Sequence, residues 1–246
     1  MEKSYKCQTS DDSYIDSLFI IFSQSFLINV IGRYMRVANV EKPNILEIGC
    51  FNGRLMKFLL QSRIFVNYTG IDVRNDYIER SSLKRDDAKL LCEDITQTIS
   101  VPDNSIDVCV STEVLEHIKE EHWHGIFERI NKKLKMNGLL ALGLPVDTEK
   151  RTFHSLEHEQ HVGHVNFPVH EKFISLIESK GFVLVKTFPG FTINSNYRFS
   201  KEIKSNKTYQ LLRERLGTTV ARAVFLAASS EETGGGYYIF CKKSTI

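Results

Sequence analysis

The stretch Ile45-Leu46-Glu47-Ile48-Gly49-Cys50-Phe51-Asn52-Gly53-Arg54 sets an apolar strand, two glycines four apart and the start of a helix in direct succession. Such a loop lets the backbone approach a ligand closely, and the helix beyond it presents unpaired N–H donors at its N-terminus. That combination points to a nucleotide-like ligand. Asp72 closes the next strand, where a carboxylate can accept both hydroxyl protons of a ribose across the switch point of the sheet. Asp94 closes the third and is followed by Ile95, a pairing that can accept from an adenine amino group and cover its ring face. Taken singly, a glycine pair after a strand is often only a tight turn, and an Asp at a strand end only a helix cap. Their ordered spacing is what directs three strand ends at one adenosine. Neither G-x-G-x-x-G nor G-x-x-x-x-G-K-[ST] occurs, which argues against a diphosphate.

Outward from this stretch, short apolar runs alternate with helical periodicity, the pattern of an α/β fold around a mostly parallel sheet. Strands are expected over Asn44–Ile48, Tyr68–Val73, Lys89–Glu93, Ile106–Ser111, Leu139–Leu144, Phe182–Phe188 and Tyr237–Lys242, and helices over Arg54–Gln61, Asp76–Leu83, Trp123–Met136 and Pro168–Lys180. Asn137-Gly138 reads as the end of one helix, Pro168 as the first turn of the next and Gly181 as its exit. Residues 1–40 are expected to form a helical extension and residues 41–246 the main domain, in which 189–236 are an insertion expected to cap one end of the sheet. No internal repeat is visible.

The 246 residues suffice for a substantial core, and 42% hydrophobic with 25% charged residues excludes disorder and fibrous repeats. With 32 basic against 30 acidic residues, no global field gathers nucleic acid, so a polyanion would need a local patch. Five scattered cysteines without CxxC spacing argue against a disulfide framework or thiolate zinc site and fit a reducing cytoplasm. The run Leu18–Ile31 is too short and too polar to cross a bilayer. It is expected to be a packed amphipathic helix, able to meet a second copy of the chain as readily as its own domain. Nothing in the N-terminal region marks the chain for export, and no membrane partner is expected.

The motifs Glu47-Ile-Gly49-x-x-x-Gly53, Tyr68-Thr-Gly-Ile-Asp72, Glu93-Asp94-Ile95, Asp103-Asn-Ser-Ile-Asp107-Val-Cys-Val-Ser111 and Glu113-Val-Leu-Glu-His117-Ile together resemble class I S-adenosylmethionine-dependent methyltransferases, over about Asn44 to Phe188. One departure is Phe51, where that family usually has a glycine. The resemblance implies a Rossmann-like sheet of seven mostly parallel strands with helices on both faces and an antiparallel last strand. It also implies S-adenosylmethionine as cofactor, with Glu47 and Gly49 near its methionine end, Gly53 in the same loop, Asp72 on the ribose, Asp94 and Ile95 on the adenine, and Ser111 close to the sulfonium. A sulfonium methyl is already activated, so catalysis is mainly alignment, plus removal of a proton where the acceptor is a hydroxyl.

All eight histidines fall between His117 and His170; His122 and His124 read as decoration of a solvated turn. Glu113, Glu116 and His117 have spacings that put them on one face of a helix opening at the cofactor end of the sheet. Two carboxylates and an imidazole there can hold a divalent metal, with His161 or His164 of His161-Val-Gly-His164 reaching in from the opposite lip. Such ligands suit Mg²⁺, Mn²⁺ or Fe²⁺ better than structural zinc. This set resembles two metal-using branches, the quinone-biosynthesis O-methyltransferases and the small-RNA 3′-terminal 2′-O-methyltransferases. Without metal, the expected general base is His117, His154 or His161. The leading expectation is an O-methyltransferase for a small hydroxylated metabolite such as a sugar, sugar nucleotide or glycan precursor. The alternatives are an RNA 3′-end methyltransferase, drawing on Tyr197, Arg198, Lys201, Lys204 and Lys207 for its groove, and a non-catalytic cofactor-binding partner subunit.

Overall fold

The computed structural model describes residues 13–145, 163–166, 168–189 and 235–243. In chain order they form α1 (Ser13–Ala38), β1 (Asn44–Ile48), α2 (Arg54–Gln61), β2 (Asn67–Asp72), α3 (Asn75–Glu79), β3 (Ala88–Cys92), β4 (Ile106–Thr112), α4 (Trp123–Lys133), β5 (Leu134–Pro145), α5 (His170–Glu178), β6 (Phe182–Pro189) and β7 (Gly235–Lys242). The seven strands make one sheet in the order β3-β2-β1-β4-β5-β7-β6. Strands β1 to β5 pair in parallel, and β7 runs antiparallel to both β5 and β6. The first five strands therefore point their C-terminal tips to one edge, with the β1/β4 order reversal at the centre.

Every residue of β4 from Ile106 to Ser111 is buried because both faces of the sheet are covered. On one face Trp123, Ile126, Phe127 and Ile130 of α4 and Phe173 and Ile177 of α5 pack on Ile48, Cys109 and Leu142. On the other, Leu27, Val30 and Ile31 of α1 join Leu55, Met56 and Leu59 of α2 over Ile45, Tyr68 and Val110. The amphipathic run expected at Leu18–Ile31 is thus part of α1, whose buried face meets its own sheet. Among the described residues, no helix is long and apolar enough to cross a membrane. The expected cap over 189–236 lies almost wholly outside the described residues.

The edge opposite the strand tips is pinned by Asp107. Its carboxylate accepts from Tyr34 Oη of α1 at 3.0 Å, from the Asn44 amide at 2.8 Å and from Lys135 Nζ at 2.9 Å. Burial, joined by the neighbouring carboxylate, pushes the Tyr34 phenol up to about 12. Tyr34 therefore marks the end of α1 farthest from the glycine loop.

Against the sequence expectation, α3 ends at Glu79 rather than Leu83 and α5 begins at His170 rather than Pro168, and the end of α4 differs in kind. Asn137-Gly138 does not end a helix: α4 stops at Lys133, β5 begins at Leu134, and the pair lies inside β5. The β4–β5 register jumps from Ile106↔Leu134 to Val108↔Leu139, so residues 135–138 bulge out. Asn137 takes φ 61°, and a Cβ on Gly138 would meet Lys135 O at 2.9 Å and Asp107 O at 3.1 Å. Left-handed and crowded positions favour the same residues at a bulge as at a helix exit, which is why the pair misleads.

Candidate functional site

The loop between β1 and α2 folds back on the tip of β2. The Gly49 and Cys50 amides both donate to Ile71 O, at 2.8 and 3.0 Å. Gly49, Phe51 and Gly53 all occupy the left-handed region, at φ 75°, 53° and 77°. A Cβ on Gly49 would lie 2.1 Å from Val114 Cγ2, and one on Gly53 2.1 Å from Leu83 Cδ1. Phe51 tolerates the conformation because its amide is anchored, donating to Asp72 Oδ2 at 2.9 Å, while the Arg74 amide donates to Asp72 Oδ1 at 2.9 Å. Asp72 thus shapes the loop, and each oxygen keeps lone-pair capacity for a further donor.

Phe51 brings a second feature with it. Its ring lies 4.2 Å from that of Tyr77, the Arg54 guanidinium sits 4.8 Å over Phe51, and the Arg74 guanidinium 4.2 Å over Tyr77. Tyr77 has no motif of its own; the signal that could have found it was the misplaced aromatic at Phe51. Glu47 is buried beneath the loop and accepts a hydrogen bond from the Tyr68 hydroxyl. Burial pushes its carboxyl up to about 8, against the lowering pull of Tyr68 and Arg54. Asp94 is exposed, with Oδ1 accepting from the Thr96 amide at 2.8 Å, and Ile95 is buried, its carbonyl held by Arg129 Nε at 3.1 Å. Val73, beside Asp72, is an apolar residue left 66% exposed.

At the tip of β4 the expected α-helix is absent. Glu113 stands in the left-handed region at φ 56°, its amide donating to Gly143 O at 2.9 Å, and Leu115–His117 form one 3₁₀ turn. The helical-face reading of Glu113, Glu116 and His117 is therefore corrected. The side chains still meet by another route: the Glu113 carboxyl neighbours that of Glu116, and burial raises it above its ordinary range despite the lowering pull of Glu116. Donor atoms of Glu116, His117 and His164 all lie within 4.8 Å of one another.

His164 is carried there by a segment stitched onto the same turn. The Val165 and Asn166 amides donate to Glu116 O at 2.8 and 3.2 Å, and Asn166 Nδ2 donates to Ile118 O. Gly163, at φ 81°, presents its carbonyl 3.1 Å from His117 Nδ1. A carbonyl only accepts, so Nδ1 carries the proton and the Nε2 lone pair is left for a ligand. Burial also lowers the His117 pKa, which keeps the ring neutral. The glycine inside His161-Val-Gly-His164 was the sequence signal for this contact. His154 and His161 lie outside the described residues.

A family model described as a methyltransferase domain matches residues 25–187. The chain belongs to this family. No curated protein matches this methyltransferase in sequence. Its fold resembles a chain of a Haloferax volcanii complex between the Trm112 methyltransferase activator and a methyltransferase, at TM-score 0.60 and 15% identity over 84% of each chain. It also resembles a TehB-like S-adenosylmethionine-dependent methyltransferase from Corynebacterium glutamicum, at TM-score 0.54 and 16% identity over 87% of each chain. A third likeness is Haemonchus contortus phosphoethanolamine N-methyltransferase 2 with phosphomonomethylethanolamine and S-adenosylhomocysteine, at TM-score 0.54 and 14% identity over 82% of this chain and 49% of that one.

The methyltransferase is S-adenosylmethionine-dependent and of class I. Its loop suits that cofactor: close backbone approach at Gly49 and Gly53, spare acceptor capacity on Asp72, an exposed carboxylate at Asp94 and bare apolar surface at Val73. The donor set at the β4 tip suits a hard or borderline divalent cation. Ligand atoms about 2.1 Å from one octahedral ion stand about 3 Å apart when adjacent and about 4.2 Å when opposite. Glu116 Oε1 lies 4.0 Å from both His117 Nε2 and His164 Nε2, within reach of that geometry after small side-chain shifts.

Proposed function

We propose that the methyltransferase is an O-methyltransferase that uses a divalent cation held by Glu113, Glu116, His117 and His164. The observation that carries this reading is the convergence of the Glu116 carboxylate with the His117 and His164 imidazoles at the β4 tip, beside the cofactor loop. The acceptor is a compact hydroxylated metabolite, such as a sugar, sugar nucleotide or glycan precursor, offering neighbouring oxygens.

Asp72 and the glycine loop hold the cofactor's ribose, Asp94 and Ile95 its adenine, and Glu47 and Gly49 its methionine end. Val114, packed on Gly49, ties the cofactor loop to the turn that carries Glu113 and Glu116. A cation at those residues supplies Lewis acidity that lowers the pKa of the acceptor hydroxyl. His117, fixed by Gly163 O, keeps the imidazole lone pair directed and unprotonated. In the transfer the methyl carbon leaves sulfur for the acceptor oxygen, the hydroxyl proton goes to solvent, and S-adenosylhomocysteine remains.

The test is methyl incorporation from labelled S-adenosylmethionine into sugars, sugar nucleotides and 3′-terminal RNA oligonucleotides, after chelation and with Mn²⁺ restored. Turnover lost with chelator and regained with Mn²⁺ supports the reading; turnover indifferent to chelator rejects the cation. Salt-sensitive retention and methylation of RNA would move the acceptor to the RNA class. Copurifying S-adenosylhomocysteine with a stable partner and no turnover would favour a non-catalytic subunit.

A further inference from the structure

Gln24 Oε1, Ser111 Oγ and Tyr237 Oη are buried without a hydrogen-bond partner among the described residues. Such groups are scarce in folded proteins, and they are costly where they occur. These three gather at one end of the molecule. Ser111 lies at the C-terminal tip of β4, and Tyr237 pairs with Gly143 near the tip of β5. Gln24 precedes Tyr34 by ten residues, about 15 Å of helix away from the Asp107 edge.

Tyr237 is the best defined of them. A Cβ on Gly143 would meet Tyr237 Cε1 at 2.6 Å, so the ring lies directly over that glycine. From the other side the Phe26 ring of α1 closes at 4.5 Å, and the residue is 4% exposed. Clamped between β5 and α1, the phenol cannot turn out to water. Burial, and after it the charge of Glu113, pushes its pKa upward, so the hydroxyl stays protonated and the tip feels the acidic cluster.

We propose that Tyr237 contacts the methyl acceptor, its hydroxyl donating a hydrogen bond to an acceptor oxygen at the tip of β4. This rests on the reading of that tip as the seat of cation and acceptor. A phenol held protonated favours an oxygen with free lone pairs over a protonated amine, which has none to offer. Gly143 is required for the same reason, since any side chain there would displace the ring.

The test is Tyr237→Phe, which removes the hydroxyl and keeps the ring. The probe is 4-nitrocatechol, a chelating diol whose absorbance reports ionisation, titrated into protein loaded with Mn²⁺ and S-adenosylhomocysteine. We expect the variant to bind nitrocatechol about tenfold more weakly, with Mn²⁺ and S-adenosylhomocysteine affinities unchanged. Its Tm should be unchanged or higher, because the hydroxyl removed has no partner. Equal nitrocatechol binding by variant and wild type, no binding by wild type, or a lowered Tm overturns the proposal. If Mn²⁺ itself fails to bind wild type, the cation reading fails and the proposal falls with it. If Mn²⁺ binds and only nitrocatechol is indifferent to the substitution, Tyr237 alone is rejected.

Discussion

The tips of β1 and β4 are neighbours in the sheet, yet they build their sites in opposite ways. At β1 the site is backbone: glycines at positive φ, amides bonded to Ile71 O, and a carboxylate that shapes the loop it serves. At β4 the site is side chain, and one of its imidazoles comes from a distant segment, His164 sitting in the cluster of Glu116 and His117. Consecutive residues dictate the first, whereas the second exists only once the 163–166 segment is stitched to Glu116 and Ile118. A backbone site should fail by steric damage, and a side-chain site by loss of charge or ligand.

The largest effect should follow from damage to the backbone site. Gly49→Ala imposes a left-handed conformation on a residue with a Cβ and drives that Cβ into Val114. It is expected to cost roughly 2–5 kcal/mol of stability and to abolish cofactor binding. Chemical denaturation and calorimetry would show this, and a wild-type midpoint with intact binding would break the contrast. Next comes Asp72→Ala, which removes the ribose acceptor and frees the Phe51 and Arg74 amides. Affinity for S-adenosylhomocysteine should fall about a hundredfold by calorimetry; unchanged affinity would reject the assignment.

At β4 the expected loss is narrower. Glu116→Gln should weaken Mn²⁺ binding by about 10- to 100-fold while leaving S-adenosylhomocysteine affinity intact. Parallel losses of both would show that the two tips are not separable. The smallest effect is on pH dependence. Burial raises the Glu47 carboxyl from 4.5 to about 8, so between these values the folded protein holds a proton that the unfolded chain has released. Stability from this group is full below the lower value and declines as pH rises through the window. The Tm of Glu47→Gln should therefore fall less than that of wild type from about pH 5 to about pH 8; a steeper fall in the variant would contradict the buried, protonated carboxyl.

The same contrast decides what the sequence discloses. The glycine loop, α2 and the strand that ends at Asp72 were legible because their signals are local: spacing, apolar runs and left-handed glycines within a few residues. The cluster at β4 was legible in composition but not in path, since Glu113, Glu116 and His117 have helical spacing yet are joined by a left-handed residue and a 3₁₀ turn. Asn137-Gly138 shows the limit of punctuation, because a bulge and a helix exit ask for the same backbone. Tyr237 was out of reach: its position depends on the β5–β7 register, on Gly143 beneath it and on Phe26 above, none of which is near it in the chain.

The most direct test concerns the cation at the tip of β4. Mn²⁺ added to chelator-stripped, S-adenosylhomocysteine-saturated protein should bind tightly, and its spin-echo EPR signal should carry nitrogen couplings from two imidazoles. His117→Ala and His164→Ala should each remove one of them. Mn²⁺ that stays free in solution, or that binds without any nitrogen coupling, would contradict a metal-assisted methyl transfer at this site.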